Sequence, residues 1–463
     1  MQIYDVGVLG AGPGGYVAAI RAAQMGAKVL VVEKEKLGGT CLNRGCIPTK
    51  AFLSDVKAYQ KVKTSPVFQG REGLSVDLGK MVTRKNQVVE TMTKGVGQLF
   101  ESNGITVIQG KGFLVDPKTI GVVRNGKKET VQFKHLIIAT GSKPASLPSV
   151  AVDGKNILSS DDILNIQSLP KEMLIIGGGV IGVEFATIFN VLGTRVTIVE
   201  MLPKIISTED DHVIQGLKGL LERKGIRILT ETKVVDASPS KGKVEVTVEG
   251  KSGKKETLSA EKVLMAVGRV PLTEGLEKIK LQMEGRFIKV NERMETNIDH
   301  VYAIGDVIGK IMLAHAASAE GVVAVENIMG ETRKIDYQRV PSCIYTFPEA
   351  ASVGLTERQA REKGLDIQVG VFPFQYNAKA ITIGEAEGFI KIIAEKEFGE
   401  ILGVHILGEH ATDLIGEGVT AMDLDGTVED LGRVIKGHPT LSEAMMEAAL
   451  DWSRMAIHLP KKK

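Results

Sequence analysis

The fold of the first part of the chain is decided by Asp5-Val6-Gly7-Val8-Leu9-Gly10-Ala11-Gly12-Pro13-Gly14-Gly15. The apolar run over 5–10 predicts a short buried strand, and it leads directly into the turn Gly10-x-Gly12-x-x-Gly15. A helix is expected from Tyr16 onward, followed by a second strand that ends at Glu33. This order of strand, glycine turn, helix, strand and acidic residue is typical of a dinucleotide-binding fold. The glycines let the backbone approach a pyrophosphate at the helix N-terminus, and Glu33 is placed to bind ribose hydroxyls.

The same pattern occurs a second time. A strand over 173–176 precedes the turn Gly177-x-Gly179-x-x-Gly182, and a helix and a further strand then lead to Glu200. The number of residues from Gly10 to the first glycine of this turn equals the number from Glu33 to Glu200. Because one ligand does not need two such turns, the repetition predicts two dinucleotide sites.

Glu200 also indicates which nicotinamide nucleotide the second site binds. A carboxylate at the end of this strand repels a 2′-phosphate, and no arginine cluster follows in residues 201–204. An arginine in this region could bind a 2′-phosphate, but Arg195 begins the strand rather than ending it. It therefore weakens the argument against a 2′-phosphate only slightly. The second site is therefore expected to bind NAD in preference to NADP.

A close cysteine pair lies between the two turns, in Gly39-Thr40-Cys41-Leu42-Asn43-Arg44-Gly45-Cys46-Ile47-Pro48. Two thiols this close can interconvert between dithiol and disulfide and so carry two electrons. A regular helix would hold the α-carbons of positions i and i+5 roughly 8–9 Å apart, whereas a disulfide needs about 4.4–6.8 Å. The segment is therefore not expected to be continuous helix, and Gly45 is the expected point of deviation. The alternatives are a loop closed by a structural disulfide or two unrelated buried thiols. A stabilising disulfide, however, normally closes a much longer loop.

The composition limits the classes of function. Across 463 residues, 58 basic side chains balance 56 acidic ones, so neither a nucleic-acid partner nor a membrane surface is indicated. Three cysteines do not make a disulfide scaffold, and the chain opens without an apolar leader, so a cytoplasmic location is expected. No second Cys/His cluster accompanies the cysteine pair, so no metal site is predicted. The apolar run over 173–193 is broken by glycines and is not expected to span a membrane.

The order of these motifs predicts an α/β chain with three domains. Glycine turns at Thr140-Gly141 and at Gly268 each follow a strand. They mark the two segments, called crossings below, in which the chain passes from one domain to the other. We assign residues 1–145 and 268–338 to a first nucleotide-binding domain. Residues 146–267 form a second Rossmann-like domain inserted in it, and residues 339–463 form a C-terminal α+β domain without a nucleotide turn.

Three charged residues are singled out as candidates around the cofactor sites. Asp306 ends a late strand that we assign to the first domain, where it would bind polyol hydroxyls or, alternatively, cap the following helix. Lys50 lies just beyond the cysteine pair, where a redox enzyme with two nucleotide sites would hold a flavin, and a cation there would stabilise negative charge on the reduced ring. Glu184 stands in a nearly uncharged helix and is costly to bury without a partner. An ion pair between Lys50 and Glu184 that only ties domains together is compatible with both roles.

A histidine stands just before the last predicted helix, which spans 440–455, and a glutamate lies in the first turn of that helix. His438 could act as the base of a thiol, and Glu443 could bond its other ring nitrogen and fix its orientation. The competing interpretation is that Thr440-x-x-Glu443 is a helix capping box, which needs no catalysis. On the residues alone, a lone histidine such as His438 is more often structural.

Taken in order, these motifs resemble the dihydrolipoamide dehydrogenase family of flavin-dependent pyridine nucleotide-disulfide oxidoreductases, and the likeness covers essentially the whole chain. The resemblance implies FAD in the first site and NAD in the second, with the cysteine pair against the flavin on the face opposite the nicotinamide. Cys41 would exchange with substrate and Cys46 would contact the flavin. His438 resembles the family base, which reaches the cysteines of the other subunit, so the site would exist only in a homodimer. Arg44, Thr49 and Leu272 depart from the common family pattern.

The resemblance further implies the reaction and the partner. Electrons would pass from dihydrolipoyl groups to the disulfide, to FAD and then to NAD⁺. The partner would be a lipoylated acyltransferase of a 2-oxoacid dehydrogenase complex or a glycine-cleavage carrier protein. The main alternative is a glutathione-type disulfide reductase that uses NADPH, which Glu200 disfavours. A mercuric reductase would need further cysteines near the C-terminus, and a soluble transhydrogenase would lack the cysteine pair. A different class is a flavoprotein that acts as a binding module, in which the cysteine pair would undergo no redox reaction.

Overall fold

The first part of the chain folds around a largely parallel sheet. The computed structural model describes residues 3–240 and 242–461, so Met1, Gln2, Lys462 and Lys463 of the terminal segments lie outside the described residues. The first elements are β1 (Ile3–Leu9), α1 (Pro13–Gln24), β2 (Val29–Glu33), α2 (Gly39–Arg44), α3 (Cys46–Thr64), α4 (Leu78–Ser102), β3 (Thr106–Gln109), β4 (Lys111–Asp116), β5 (Thr119–Arg124), β6 (Lys127–Ile138) and β7 (Ser142–Pro144).

The strand order of this sheet is β3-β2-β1-β6-β5-β4. β1 is parallel to both β2 and β6, whereas β4 and β5 form an antiparallel hairpin. The central strands are apolar and buried on both faces, as parallel strands between covering helices are. The predicted strand and helix around the first glycine turn are both present. In an open α/β sheet, a ligand binds at the edge that the carboxyl ends of the parallel strands form.

The second part repeats this architecture. Its elements are β8 (Ile157–Leu158), β9 (Glu172–Ile176), α5 (Val180–Val191), β10 (Arg195–Val199), α6 (Asp211–Arg223), β11 (Arg227–Leu229), β12 (Thr232–Ser240), β13 (Lys243–Gly250), β14 (Lys255–Ala260) and β15 (Lys262–Met265). The sheet order β11-β10-β9-β15-β8 is parallel throughout. The antiparallel sheet β12-β13-β14 was not predicted, although the alternation of buried valines with polar residues in β13 is typical of a half-buried strand.

The chain then returns to the first sheet. Its next elements are β16 (Arg269–Pro271), β17 (Met283–Glu284), β18 (Phe287–Ile288), β19 (Val301–Ala303) and α7 (Ala314–Ile328). β19 pairs in parallel with β6, which confirms the assignment of the strand before Asp306 to the first domain. β16 pairs antiparallel with β7. The two predicted crossings between domains therefore lie side by side.

The last part is an antiparallel α+β unit. It contains β20 (Ser342–Ile344), β21 (Glu349–Gly354), α8 (Glu357–Glu362), β22 (Ile367–Pro373), α9 (Ala378–Thr382), β23 (Phe389–Glu395), β24 (Ile401–Gly408), α10 (Ala411–Asp423), α11 (Val428–Arg433) and α12 (Glu443–Trp452). The sheet order is β20-β21-β24-β23-β22. β21 was not predicted, because its small residues show no alternation. The prediction that the last helix begins at residue 440 was wrong, since α12 begins at Glu443.

The architecture as a whole confirms the predicted fold class of two Rossmann-like units followed by an α+β unit. Short 3₁₀ turns complete it, among them one at Gly305–Ile308 beside β19 and one at Tyr337–Arg339 before β20. Within the described ranges, no helix combines the length and the hydropathy needed to cross a bilayer.

Candidate active site

The two glycine turns have nearly the same conformation. Gly10 has φ 103° and Gly177 has φ 108°, values that favour glycine over any L side chain. A β-carbon on Gly15 would stand 1.9 Å from the Gly10 carbonyl oxygen, and one on Gly182 would stand 2.0 Å from that of Gly177. Glycine at these positions therefore lets α1 and α5 begin directly against their strands. Each helix N-terminus presents free amides that suit an anion.

The two acidic residues that follow the turns are also held alike. Glu33 accepts hydrogen bonds from the amides of Ala11, at 2.7 Å, and Glu35, at 2.8 Å. Glu200 accepts from the amides of Gly178, at 2.6 Å, and Leu202, at 2.7 Å. The first bond of each set spans 22 residues. Both carboxylates are thus fixed at the cavity wall by the backbone, in equivalent positions of the two repeats.

One cavity of about 1510 Å³ connects the two repeats. Most of the predicted site residues line it: Gly10, Gly12, Gly15, Glu33, Cys41, Cys46, Lys50, Thr140, Gly141, Gly177, Gly179, Glu184, Glu200, Gly268 and Asp306. Gly182 does not, because it is buried beneath the second turn, where it serves packing. The structure therefore brings both dinucleotide turns and the cysteine pair to one continuous space.

The helix around the cysteines is interrupted at the predicted residue. Gly45, with φ −133° and ψ −111°, separates α2 from α3, so Cys41 ends up on one helix and Cys46 begins the next. Both thiols are free, and the Cys41 thiol donates a hydrogen bond to the Cys46 sulfur. This bond, helped by the Lys50 ammonium and opposed by burial and Glu184, lowers the pKa of Cys46 to about 7. The same bond and burial raise the pKa of Cys41.

Lys50 and Glu184 form the ion pair expected from the sequence. The Lys50 ammonium lies 2.8 Å from Glu184 Oε1 and 4.4 Å from the centre of the Tyr345 ring. Glu184 is buried and also accepts from the Tyr345 amide at 3.1 Å. The pair therefore joins α3, α5 and the C-terminal unit at the cavity wall, next to Cys46. Tyr345 was missed in the sequence because nothing near it resembles a nucleotide motif.

Asp306 is held by side chains rather than capping a helix. Ser142 donates a hydrogen bond to Asp306 Oδ2, and Arg269 Nε lies 3.7 Å from the same oxygen. Thr140 Oγ1 donates to the Leu272 carbonyl oxygen at 2.6 Å, across the crossing strands. The helix-capping alternative for Asp306 is not observed. Ser142 and Arg269 were not singled out from the sequence, although both stand in the two glycine-containing crossings.

His438 and Glu443 lie outside the part of this cavity that the described residues define. His438 Nδ1 lies 2.8 Å from Glu443 Oε1, and the histidine side chain is 71% exposed. Glu443 Oε2 accepts from the Thr440 amide at 2.7 Å, but Thr440 Oγ1 bonds the Gly437 carbonyl oxygen instead of capping α12. Only half of the predicted capping box is formed, and α12 starts later than expected.

Comparisons with known proteins agree with this geometry. Residues 4–321 match the pyridine nucleotide-disulphide oxidoreductase family, and residues 340–449 match its dimerisation domain. The chain belongs to this family. It is 45% identical to the dihydrolipoyl dehydrogenase of Bacillus subtilis, over 98% of this chain and 99% of that protein. It is 44% identical to the mitochondrial dihydrolipoyl dehydrogenase of Pisum sativum, over 98% and 92%. The structure of LpdA from Mycobacterium tuberculosis matches with TM-score 0.91 at 26% identity, covering 96% of this chain and 99% of that one.

Membership of the pyridine nucleotide-disulphide oxidoreductase family confirms the resemblance, the redox function and the two cofactors, FAD and NAD. It favours the dihydrolipoyl type over the glutathione type. The dimerisation domain indicates a homodimer.

The residues present also fit the two cofactors. Gly39 approaches Gly12 so closely that a β-carbon on Gly39 would lie 2.6 Å from the Gly12 α-carbon. This leaves a side-chain-free backbone cradle beside the first helix N-terminus, as a pyrophosphate requires. Glu33 and Glu200 remain available to ribose hydroxyls on the cavity side.

Proposed function

We propose that the chain oxidises protein-bound dihydrolipoyl groups to lipoyl groups and reduces NAD⁺ to NADH with release of one proton. The observation that carries this proposal is the position of Cys41 and Cys46 in the cavity that both dinucleotide turns line. In this proposal FAD occupies the first turn, held by Gly10, Gly12, Gly15 and Glu33, and by Thr140, Gly141 and Asp306 further along. NAD occupies the second, held by Gly177, Gly179, Glu200 and Gly268, while the buried Gly182 lets α5 pack directly against its strand beneath the turn.

The two cysteines have different roles in the exchange with substrate. A substrate thiolate attacks the Cys41 sulfur of the disulfide, and the Cys41–Cys46 bond breaks with Cys46 leaving as a thiolate. The pKa of Cys46, lowered to about 7, makes it the better leaving group at neutral pH. The second substrate thiol then attacks the mixed disulfide and releases Cys41. The substrate leaves as a disulfide, and its electron pair remains in the cysteine dithiol.

Lys50 and Glu184 supply the electrostatic environment of this dithiol. FAD, when bound, carries the electron pair onward from the dithiol to NAD⁺. The Lys50 ammonium, fixed by its ion pair, favours the Cys46 thiolate and places positive charge at the cavity wall. Buried Glu184 holds that ammonium in place and limits its effect on the thiol.

His438 is proposed as the base that takes the substrate proton, oriented by Glu443. The exposed His438 lies away from the cysteine cavity of its own chain, which supports a role at the cysteines of a second subunit. The hydrogen bond to Glu443 leaves Nε2 as the free ring nitrogen. This arrangement makes the catalytic site a property of the homodimer.

The lipoyl-bearing partner is proposed from the reaction. A lipoylated acyltransferase of a 2-oxoacid dehydrogenase complex and a glycine-cleavage carrier protein both present this dithiol. Their lipoyl group would have to enter the cavity beside Cys41. The cytoplasmic location suggested by cysteine usage stays a prediction.

A steady-state assay tests the proposed function. Dihydrolipoamide with NAD⁺ and with NADP⁺ is compared with glutathione disulfide and NADH or NADPH. We expect turnover with dihydrolipoamide and a marked preference for NAD⁺. Preferred reduction of glutathione disulfide by NADPH would overturn the assignment.

A thiol titration separates the enzyme from a binding module with an idle pair. Free thiols are counted before and after anaerobic addition of NADH to the oxidised, FAD-containing protein. We expect two additional thiols per chain. An unchanged thiol count would exclude a redox role for Cys41 and Cys46.

A further inference from the structure

Arg269 occupies a central position that the proposed reaction does not use. It begins β16, the strand by which the chain returns from the second nucleotide unit. Its side chain is only 14% exposed and lines the cavity. Nε donates to Ser142 Oγ at 2.7 Å, and Nη2 donates to the Ser142 carbonyl oxygen at 3.0 Å. The guanidinium thus donates hydrogen bonds to both the side chain and the backbone of Ser142 on the opposite crossing strand, β7.

The same guanidinium also lies close to two residues near the first glycine turn, where FAD is proposed to bind. Nε lies 3.7 Å from Asp306 Oδ2, and Nη2 lies 3.5 Å from the Thr40 hydroxyl, next to Cys41. Ser142, which is buried, donates its hydroxyl proton to that same Asp306 oxygen. Arg269 therefore joins the crossing strands, the Asp306 turn and the start of α2 through one planar group. A lysine could supply the positive charge but not the planar set of N–H donors that a guanidinium presents.

We propose that Arg269 is a positioning residue for the FAD site. It fixes the Asp306 carboxylate toward the cavity, both directly and through Ser142. It also ties the crossing between the two nucleotide units to the segment that carries the cysteines. The inference rests on the proposed placement of FAD at the first glycine turn, and it predicts that retention of FAD depends on Arg269.

The rate of FAD release tests this inference. Flavin fluorescence is followed after dilution of the holoenzyme for the wild type, Arg269→Lys and Arg269→Met. Loss of the paired hydrogen bonds to Ser142 and of the charge beside Asp306 should accelerate release in Arg269→Met by about 10- to 100-fold. Arg269→Lys should fall between. With FAD in excess, the KM for NADH should stay at its wild-type value in both variants.

Arg339→Met is the matched control. Arg339 also joins separate segments, through contacts to Asp423 and Asp425, but it does not line the cavity. We expect wild-type FAD release in this variant. Ser142→Ala serves as a milder second variant, should Arg269→Met fail to fold, and should also accelerate release.

A double-mutant cycle distinguishes positioning from general stabilisation. If Arg269 acts through the Asp306 carboxylate, Arg269→Met should have a much smaller effect on FAD release in an Asp306→Asn background. Equal effects in the two backgrounds, or wild-type release from Arg269→Met and Ser142→Ala, would overturn the inference. A wild-type protein that binds no FAD would instead refute the proposed function.

Discussion

The ammonium group of Lys50 lies 2.8 Å from Oε1 and 2.9 Å from Oε2 of Glu184, although 134 residues separate the two in sequence. The pair lies beside Cys46, and its two charges act on that thiol in opposite directions. After the hydrogen bond from Cys41, the charge of Lys50 is the main factor that lowers the pKa of Cys46, whereas Glu184 raises it. The ion pair therefore adjusts, in two opposite directions, how much of Cys46 is thiolate at neutral pH.

Substitutions of this pair should shift the pKa of Cys46 in opposite directions. Lys50→Met removes the favourable cation, so the pKa should rise above about 7. Glu184→Gln removes the opposing charge, so the pKa should fall. The pH dependence of alkylation of Cys46 in the NADH-reduced protein, followed by mass spectrometry, measures both shifts. Shifts of the same sign in both variants would contradict this electrostatic account.

The hydrogen bond from Cys41 should have the largest effect on Cys46. Cys41→Ala removes the donor, and the pKa of Cys46 should move up from about 7 toward the ordinary value of a cysteine. Cys41→Ser is the matched control, because its hydroxyl can still donate and should keep the pKa lower than in Cys41→Ala. Thiolate absorbance near 240 nm, titrated in each variant, gives the comparison. Identical titration curves for Ala and Ser would show that the bond is unimportant.

The parts of the site that could be predicted from sequence are those that local rules determine. The glycine turns, Glu33 and Glu200 follow from backbone requirements within one strand-turn-helix unit. The interruption at Gly45 followed from the distance that a disulfide requires. The ion pair of Lys50 and Glu184 could be anticipated because a buried carboxylate needs a partner.

The remaining features depend on contacts between distant segments. Arg269 meets Ser142 only because the two crossings pair as β16 and β7, which no local pattern indicates. Tyr345 reaches Lys50 from the C-terminal α+β unit, far along the chain. Thr440 failed as a helix cap because its hydroxyl bonds Gly437, an alternative that the capping-box pattern does not encode. The predicted domain boundaries stay predictions.

The second glycine turn offers a test of which nucleotide it binds. In Gly182→Ala the new β-carbon would collide with the Gly177 carbonyl oxygen, so α5 must move away from its strand. We expect loss of NADH binding, with FAD retained and still reduced by dihydrolipoamide. Gly95→Ala is the control, since a β-carbon there meets no atom within 4 Å. Loss of FAD from Gly182→Ala with NADH binding intact would reverse the assignment of the two sites.

His438 and Glu443 should matter for lipoamide turnover in a graded way. His438→Gln should lower the rate by about 10²–10⁴, the usual contribution of a positioned acid–base group. Glu443→Gln keeps the side-chain shape but weakens the orientation of the ring, so a smaller loss is expected. His458→Gln is the matched control, because His458 Nδ1 lies 2.7 Å from Oε1 of Glu447, a second glutamate of α12 that pairs with a histidine outside the helix. Equal losses in His438→Gln and His458→Gln would indicate a structural role for both.

Glu320 should make the stability of the protein depend on pH near neutrality. It is fully buried on α7, accepts from the Gly305 amide at 2.6 Å and from the Tyr337 hydroxyl at 2.8 Å, and lies near Asp306. Burial raises its pKa from 4.5 to about 7, and the two hydrogen bonds only partly oppose this. Because the folded-state pKa exceeds the unfolded one, its stabilising contribution is complete at low pH and is lost as the pH rises through about 7.

Glu320→Gln removes this titration while keeping the size of the side chain. The amide oxygen can still accept from Gly305, and the amide nitrogen can donate to the Tyr337 oxygen. The free energy of unfolding of the variant, relative to the wild type, should therefore rise by about 2 kcal/mol between pH 5.5 and pH 8. Urea unfolding of both holoenzymes at the two pH values measures the change. Tyr337→Phe removes a bond that favours the carboxylate, so it should shift the loss of stability to higher pH, and parallel pH profiles for all three proteins would contradict a titrating Glu320.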